Sequence, residues 1–262
     1  MNNVAKSYDK VYLRTVQQDP EKGAVTVDLT GMPFYFDMLF AFDHPVLSWS
    51  MTEEFTLTLY GEKDGKVYVG QSFTSTVEEK ALAMLEKYAA THPLNCQCLV
   101  DMLNYGAEVQ KAFSHNVENL PNTKIDAYAS MGTHTTPELS GVTPTMGTGA
   151  VDPAQISISM MAKVEFQALF MMDISAYTPK AMLNGEAVEV IIDTETYGAY
   201  GWTVVSFAAS AANFRDTFEF ALYDAEGNAV SDVYSLVVEA YANKQIGGVY
   251  NDVAIAMMRY GD

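Results

Sequence analysis

Two stretches of the chain carry the same pattern of apolar and polar positions. Phe55-Thr-Leu-Thr-Leu-Tyr60 reads as a strand running into a turn at Gly61-Glu-Lys-Asp-Gly65. Phe218-Glu-Phe-Ala-Leu-Tyr223 reads the same way, with its turn at Asp224-Ala-Glu-Gly227. Each is followed by a helical stretch with a polar start and then by a Met-x-x-Tyr-Gly signature. The signature is Met102 to Gly106 in the first copy and Met257 to Gly261 in the second. Self-similarity on this scale marks a duplicated folding unit. The shared residues are apolar or turn-forming, so they specify a scaffold and not a reaction.

The pattern places further elements on both copies. Val11–Val16 and Ala24–Leu29 read as strands, and the aromatic-rich run Phe34–Phe42 as a buried strand, with a short helix as the alternative its period allows. The Phe55 strand and Lys66–Gly70 flank a glycine-containing hairpin loop. Thr76-Val-Glu-Glu79 fits a capping box. Val77, Ala81, Met84, Leu85 and Tyr88 then form an apolar stripe at helical spacing, and His92-Pro93 ends that helix. A second helix is expected from near Asn95, with Cys98, Leu99, Met102, Leu103, Val109 and Phe113 facing the preceding sheet. In the second copy Ile156–Met160, Lys163–Phe170, Ala187–Ile192 and Trp202–Phe207 read as strands. Asn184-Gly185 is a strong hairpin turn. Ser231–Tyr241 and Val249–Tyr260 read as helices.

Thr133 to Pro153 is rich in Thr, Gly and Pro, which punctuates the chain. The expected organisation is therefore a first unit over 1–122, a linker over 123–154 and a second unit over 155–262. Short strands separated by turns predict a mainly β, α+β class. It would consist of two tandem immunoglobulin-like β-sandwich units, each followed by a helical hairpin.

Composition narrows the function classes. The chain has 262 residues, 49% of them hydrophobic, which is enough to bury a core. Asp and Glu number 33 against 15 Lys and Arg, a formal net charge of −18. That balance argues against nucleic-acid and anionic-membrane partners, which need a basic footprint. No stretch is long and apolar enough to span a bilayer, and residues 1–9 lack the pattern of a signal peptide. The two cysteines, Cys96 and Cys98, are poorly spaced for a mutual disulfide and too few for a zinc site. Cys98 is expected to face the core beside Leu99.

Candidate chemistry is sparse. No nucleophile elbow, phosphate loop, dinucleotide fingerprint or zinc-protease motif occurs. His44, His92, His115 and His134 are scattered, without the orienting partner a catalytic histidine needs. Asp224-Ala-Glu-Gly-Asn228 lacks the ligand spacing of a calcium loop and reads as a hairpin turn, and Asp193-Thr-Glu195 is a weaker candidate still. The adjacent methionines 160–161, 171–172 and 257–258 suit gap-filling or adaptable interfaces. No cofactor, metal or catalytic residue is therefore assigned. The one candidate binding patch is aromatic: Tyr197, Tyr200 and Trp202, set among Gly198 and Gly201.

The segment from Leu57 to Asn122 resembles a module of large secreted surface proteins of gut clostridial bacteria. The matching residues are Leu59-Tyr-Gly61, Leu99 to Ala107, Gln110, Phe113 and Asn116 to Leu120. The second copy matches through Phe218 to Leu222, Asp224 to Asn228 and Met257 to Gly261. The resemblance implies an extracellular or cell-surface location, an adhesive or binding role toward protein or glycan, and no catalytic residues. The alternative expectation is a self-assembling structural subunit of a filament, surface layer or virion. An acidic-site hydrolase, built on paired carboxylates, is the third.

Overall fold

A computed structural model describes residues 8–17, 24–28, 46–128, 151–160 and 163–261. Among these residues the protein has three four-stranded antiparallel sheets and four α-helices, so it is an α+β structure in which sheet predominates. Among the described residues no helix is long and apolar enough to cross a membrane. The chain forms two compact units, Met1–Val46 with Ser50–Ala90 and Leu47–Trp49 with Thr91–Asp262. The division falls at residues 90 and 91, not within the expected linker 123–154. Residues 129–150 of that linker, and the expected strand Phe34–Phe42, lie outside the described residues.

Among the described residues the first unit has one sheet and one α-helix. Its strands are β1 (Lys10–Gln17), β2 (Ala24–Asp28), β3 (Phe55–Lys63) and β4 (Lys66–Ser75), in the order β2-β1-β3-β4. The β3–β4 hairpin turns on Asp64 and Gly65, with φ of 51° and 70°, the conformation of a type I′ turn. The register of β1, β3 and β4 puts Val11, Leu13, Phe55, Leu57, Leu59, Tyr68 and Phe73 on one face. The other face carries a hydroxyl ladder, Thr56 to Thr74 at 2.8 Å and Thr58 to Ser72 at 2.9 Å. Helix α1 (Val77–Tyr88) begins with the predicted capping box: Glu79 N donates to Thr76 Oγ1 and Thr76 N donates to the Glu79 carboxylate. The buried face of α1 is Glu78, Ala81 and Leu85; the expected stripe member Met84 is exposed.

The second unit holds the rest. Its strands are β5 (Gln155–Ser159), β6 (Glu165–Phe170), β7 (Thr178–Leu183), β8 (Glu186–Val188), β9 (Ile191–Asp193), β10 (Thr203–Ala208), β11 (Phe218–Tyr223) and β12 (Tyr234–Leu236). They form two sheets, β5-β6-β10-β9 and β12-β11-β7-β8. Alternation on β6 buries Phe166, Ala168 and Phe170, as predicted. Rings from the two sheets meet in one core: Phe166 lies 5.3 Å from Phe218, and Phe207 lies 5.6 Å from Phe220. The run Ala187–Ile192, expected as one strand, is two. It breaks at Glu189-Val190 and passes from one sheet to the other. Helix α2 spans Pro93–Ala112. Ser231–Tyr241, expected as a helix, is strand β12 followed by helix α3 (Val238–Gln245). Tyr234 and Leu236 are buried with Ser235 exposed between them, a strand period that the helical reading missed.

Helices α2 and α4 (Asn251–Gly261) correct the expected helical hairpins. The second helix of the first copy, α2, belongs to the second unit and packs there on α4. Its buried face is set by that partner. Cys96 is accordingly buried and Cys98 exposed, the reverse of the expectation, and both thiols are free. The two signatures meet here: Tyr105 of the first stacks on Tyr260 of the second at 6.2 Å and 18°. The Tyr105 hydroxyl donates to the Met160 carbonyl at 3.3 Å, and burial pushes its pKa up. The terminal glycine of the second signature also has a cause. A Cβ on Gly261 would lie 2.6 Å from Phe214 Cδ2 and 3.0 Å from the Ala211 carbonyl oxygen.

The two stretches with the shared pattern also share hydrogen bonds that the sequence does not display. A 3-10 turn at Ser48–Ser50 precedes β3 as Ala211–Asn213 precedes β11. Glu78 N donates to the Met51 carbonyl at 2.9 Å, and Glu239 N to the Phe214 carbonyl at 3.0 Å. Glu78 and Glu239 are both buried, each at the second position of its helix. The Glu239 carboxylate accepts from Arg215 Nη1 at 3.0 Å.

Candidate functional site

Strand register gathers several loops at one end of the second unit. Phe170 at the end of β6 pairs with Thr203 at the start of β10, and Asp193 at the end of β9 pairs with Val204. Met171 and Met172 therefore leave the sheet at the end where residues 194–202 form their loop. Thr178, which opens β7, pairs with Tyr223, which closes β11, so the Asp224–Asn228 turn leaves at this end as well.

The 194–202 loop is built by its own hydrogen bonds. Asp193 Oδ1 accepts from the amides of Glu195 at 2.8 Å and Thr196 at 3.0 Å, and Oδ2 accepts from the Thr196 hydroxyl. These bonds, that of the Thr196 hydroxyl foremost, hold the Asp193 carboxyl below its ordinary pKa. A 3-10 turn over Gly198–Tyr200 follows. It closes with the Gly201 amide on the Gly198 carbonyl at 3.0 Å, at a φ of 68° that favours glycine.

This backbone brings all three sequence-predicted patch residues together. Tyr200 lies 5.2 Å from Trp202 and Tyr197 lies 6.1 Å from it, with rings inclined at 34° and 38°. Tyr200 is 71% exposed and Tyr197 41%, while Trp202 is half-buried beneath them. The result is an apolar, polarisable surface with polar tips, fixed in place by a turn. Met171 and Met172, just past β6, and Ile191 and Ile192 on β9 add exposed apolar side chains. Sequence reasoning placed Met171 and Met172 as gap-fillers or interface residues without linking them to the aromatic patch. The link is the pairing of Phe170 with Thr203, which no local pattern reveals.

The remaining candidates resolve into structure. Asp224 accepts from Asn228 N at 2.7 Å and Asn228 Nδ2 at 3.2 Å, and its pKa is lowered chiefly by that backbone bond. Its carboxylate thus completes the hairpin turn that the sequence suggested. Asp152 Oδ1 accepts from the Asp232 amide at 3.2 Å and from the Tyr234 hydroxyl, fastening the start of β5 to β12. His115 stacks on Trp49 at 4.9 Å, and His92 shares a 2.8 Å hydrogen bond with Thr91 just before α2. His44 and His134 lie outside the described residues. Among the described residues no group of three or more His, Cys, Asp or Glu side chains is placed to hold a metal ion.

No family model matches the chain, and no curated protein matches it. The functional reading therefore rests on the geometry above and on the resemblance noted from the motifs.

Proposed function

We propose that this protein is a non-catalytic binding module whose contact surface is the loop end of the second unit. The observation that carries the reading is the Tyr197, Tyr200 and Trp202 cluster, held toward solvent on a loop that its own hydrogen bonds preorganise. Tyrosine, tryptophan and glycine together give rigid contact area at low entropic cost, the composition of protein-binding loops. The neighbouring methionines favour a protein partner over a glycan, because thioethers adapt to irregular apolar surfaces. The acidic balance of the chain favours a partner with a basic rim.

The fold reading that supports this role is immunoglobulin-like. Lettered from β5, the strand orders become A-B-E-D and G-F-C-C′, the order of an immunoglobulin-type sandwich with one added strand. In that architecture loops at one end of the sandwich commonly make the contacts, and 194–202 is the D–E loop. An extracellular or cell-surface location, with an adhesive role, accompanies the reading through the resemblance to clostridial surface modules.

The test is binding by the full chain and by Tyr200→Ala and Trp202→Ala, read on glycan arrays and by capture of surface proteins from neighbouring cells. Loss of a wild-type signal in both variants, with unchanged circular dichroism, is the expected result. Binding that survives both substitutions would overturn the assignment of the site, and binding confined to glycans would replace the protein partner.

A structural subunit of a filament or surface layer is the second reading. The observation that favours it lies elsewhere, in the ten-residue edge strand β4.

A further inference from the structure

Edge strands are handled differently in the two units. In the second unit β5 has five residues and β8, β9 and β12 three each. In the first unit β4 is an edge of ten residues, and no described strand pairs with its outer side. From Val67 to Ser75 it contains neither a charge nor a proline. Residues 66–74 are all exposed, including Val67, Tyr68, Val69 and Phe73. Shortness, lysine and proline are the usual means of blocking such an edge, and this one uses none of them along its centre.

We propose that β4 pairs antiparallel with β4 of a second copy of this chain, about a two-fold axis between Gly70 and Gln71. The strand is complementary to itself in this register. The axis sets Tyr68 opposite Phe73, Val67 opposite Thr74, Val69 opposite Ser72 and Lys66 opposite Ser75. Opposed residues in an antiparallel pair must share a face. Here they do so because the β3–β4 register shifts between Thr58 and Tyr60. Tyr68 pairs with Gly61 and Phe73 with Leu57, which lie on one face of β3; Val69 pairs with Tyr60 and Ser72 with Thr58, on the other.

Charge agrees with the register. Each copy carries a formal −18, yet β4 itself contains no carboxylate; Glu79 accepts from the Ser75 hydroxyl at 3.0 Å, at the end that meets Lys66 of the second copy. Lys66, the one charged side chain of β4, faces Ser75 and not its own counterpart. The aromatic pairs fall on the apolar face, beside Tyr8, whose ring lies 5.6 Å from Tyr68. All ten residues of each strand are used, giving a continuous sheet of eight strands. The occupant is thus specified by the strand itself, and the inference is independent of the aromatic loop end.

The test is the mass of the full chain by sedimentation and light scattering across a concentration series, beside Val69→Lys. Val69 is 66% exposed, so lysine there leaves the monomer folded, as circular dichroism would verify. In the dimer the two lysines lie diagonally across the axis, and the midpoint concentration should rise by about tenfold or more. Separate Val69→Cys and Ser72→Cys variants in a Cys98→Ser background fix the register: oxidation should cross-link their mixture faster than either alone. A wild-type chain that stays monomeric at every concentration would overturn the inference. So would a dimer indifferent to Val69→Lys, or cross-linking no faster in the mixture.

Discussion

The sheets β2-β1-β3-β4 and β8-β7-β11-β12 have the same plan and different surroundings. In both, a strand with three apolar residues at alternate positions pairs with its neighbours and leads toward a helix whose second residue is a buried glutamate. In the second unit Phe218, Phe220 and Leu222 are sealed under rings of the opposing sheet, and the flanking strand β12 is three residues long. In the first unit the equivalent Phe55, Leu57 and Leu59 are half-buried, and the flanking strand β4 is long and exposed. The same local pattern therefore supports a closed core in one place and an open edge in the other. What differs is the neighbour available to each strand, which is a tertiary matter.

The largest effect that sharpens this contrast is a pair of core truncations. Phe220→Ala should cost about 3–5 kcal/mol, the range for a fully buried phenylalanine, and Leu57→Ala clearly less than the 2–5 kcal/mol range of buried leucines. Denaturant unfolding followed by Trp and Tyr fluorescence would measure both. Equal costs would break the comparison by showing the first sheet to be as well covered as the second.

Next in size is the buried Glu239. Removing its partner by Arg215→Ala leaves a carboxylate with one fewer charged donor, and about 1–3 kcal/mol of stability should be lost. The loss should shrink when Glu239→Gln is combined with it. An additive double variant would mean that the ion pair contributes nothing.

Helix entry gives a smaller difference. Thr76 caps α1 with both halves of the capping box, whereas Val237 before α3 has no capping side chain. Thr76→Ala should cost about 1 kcal/mol, read by unfolding of the first unit. Val237 instead is buried, so packing holds that helix start.

Much of this contrast was legible in the chain. The Thr76 box, the Asn184-Gly185 turn and the alternation of Val164, Phe166, Ala168 and Phe170 are local signals, and the structure has each where the residues put it. The errors share a cause. The break at Glu189-Val190 is a change of sheet, and alternation does not record which sheet a strand joins. The exchange of Cys96 for Cys98 as the buried thiol follows from α2 choosing α4 as partner. Tyr234 and Leu236 were absorbed into a helix because a three-residue strand running into a helix has too short a period to count. For the candidate site, the Tyr and Gly composition of 197–202 sufficed to find the rings. Asp193 stood out only as part of a weak carboxylate candidate with Glu195, and its role in organising the loop was not legible, because an acidic residue in an acidic chain carries no local mark.

The smallest expected effect concerns that carboxylate. Its pKa is lowered in the folded loop, so the stability it lends is complete above the ordinary carboxylate range and is lost as pH falls through the lowered value. Trp202 fluorescence should change in acid before the core unfolds, and Asp193→Asn should remove that step. A step that persists in the variant would assign it to another group.

The most direct test of the central claim is hydrogen exchange of the full chain at two concentrations, followed by mass spectrometry. Peptides from β11 should be protected in dilute and concentrated samples alike, because their sheet is closed within one molecule. In peptides covering Val67–Ser75 the amides on the outer edge, which β3 does not engage, should exchange quickly when dilute and become protected when concentrated. Equal protection of β4 at both concentrations, or none at either, would contradict an open edge completed by a second copy.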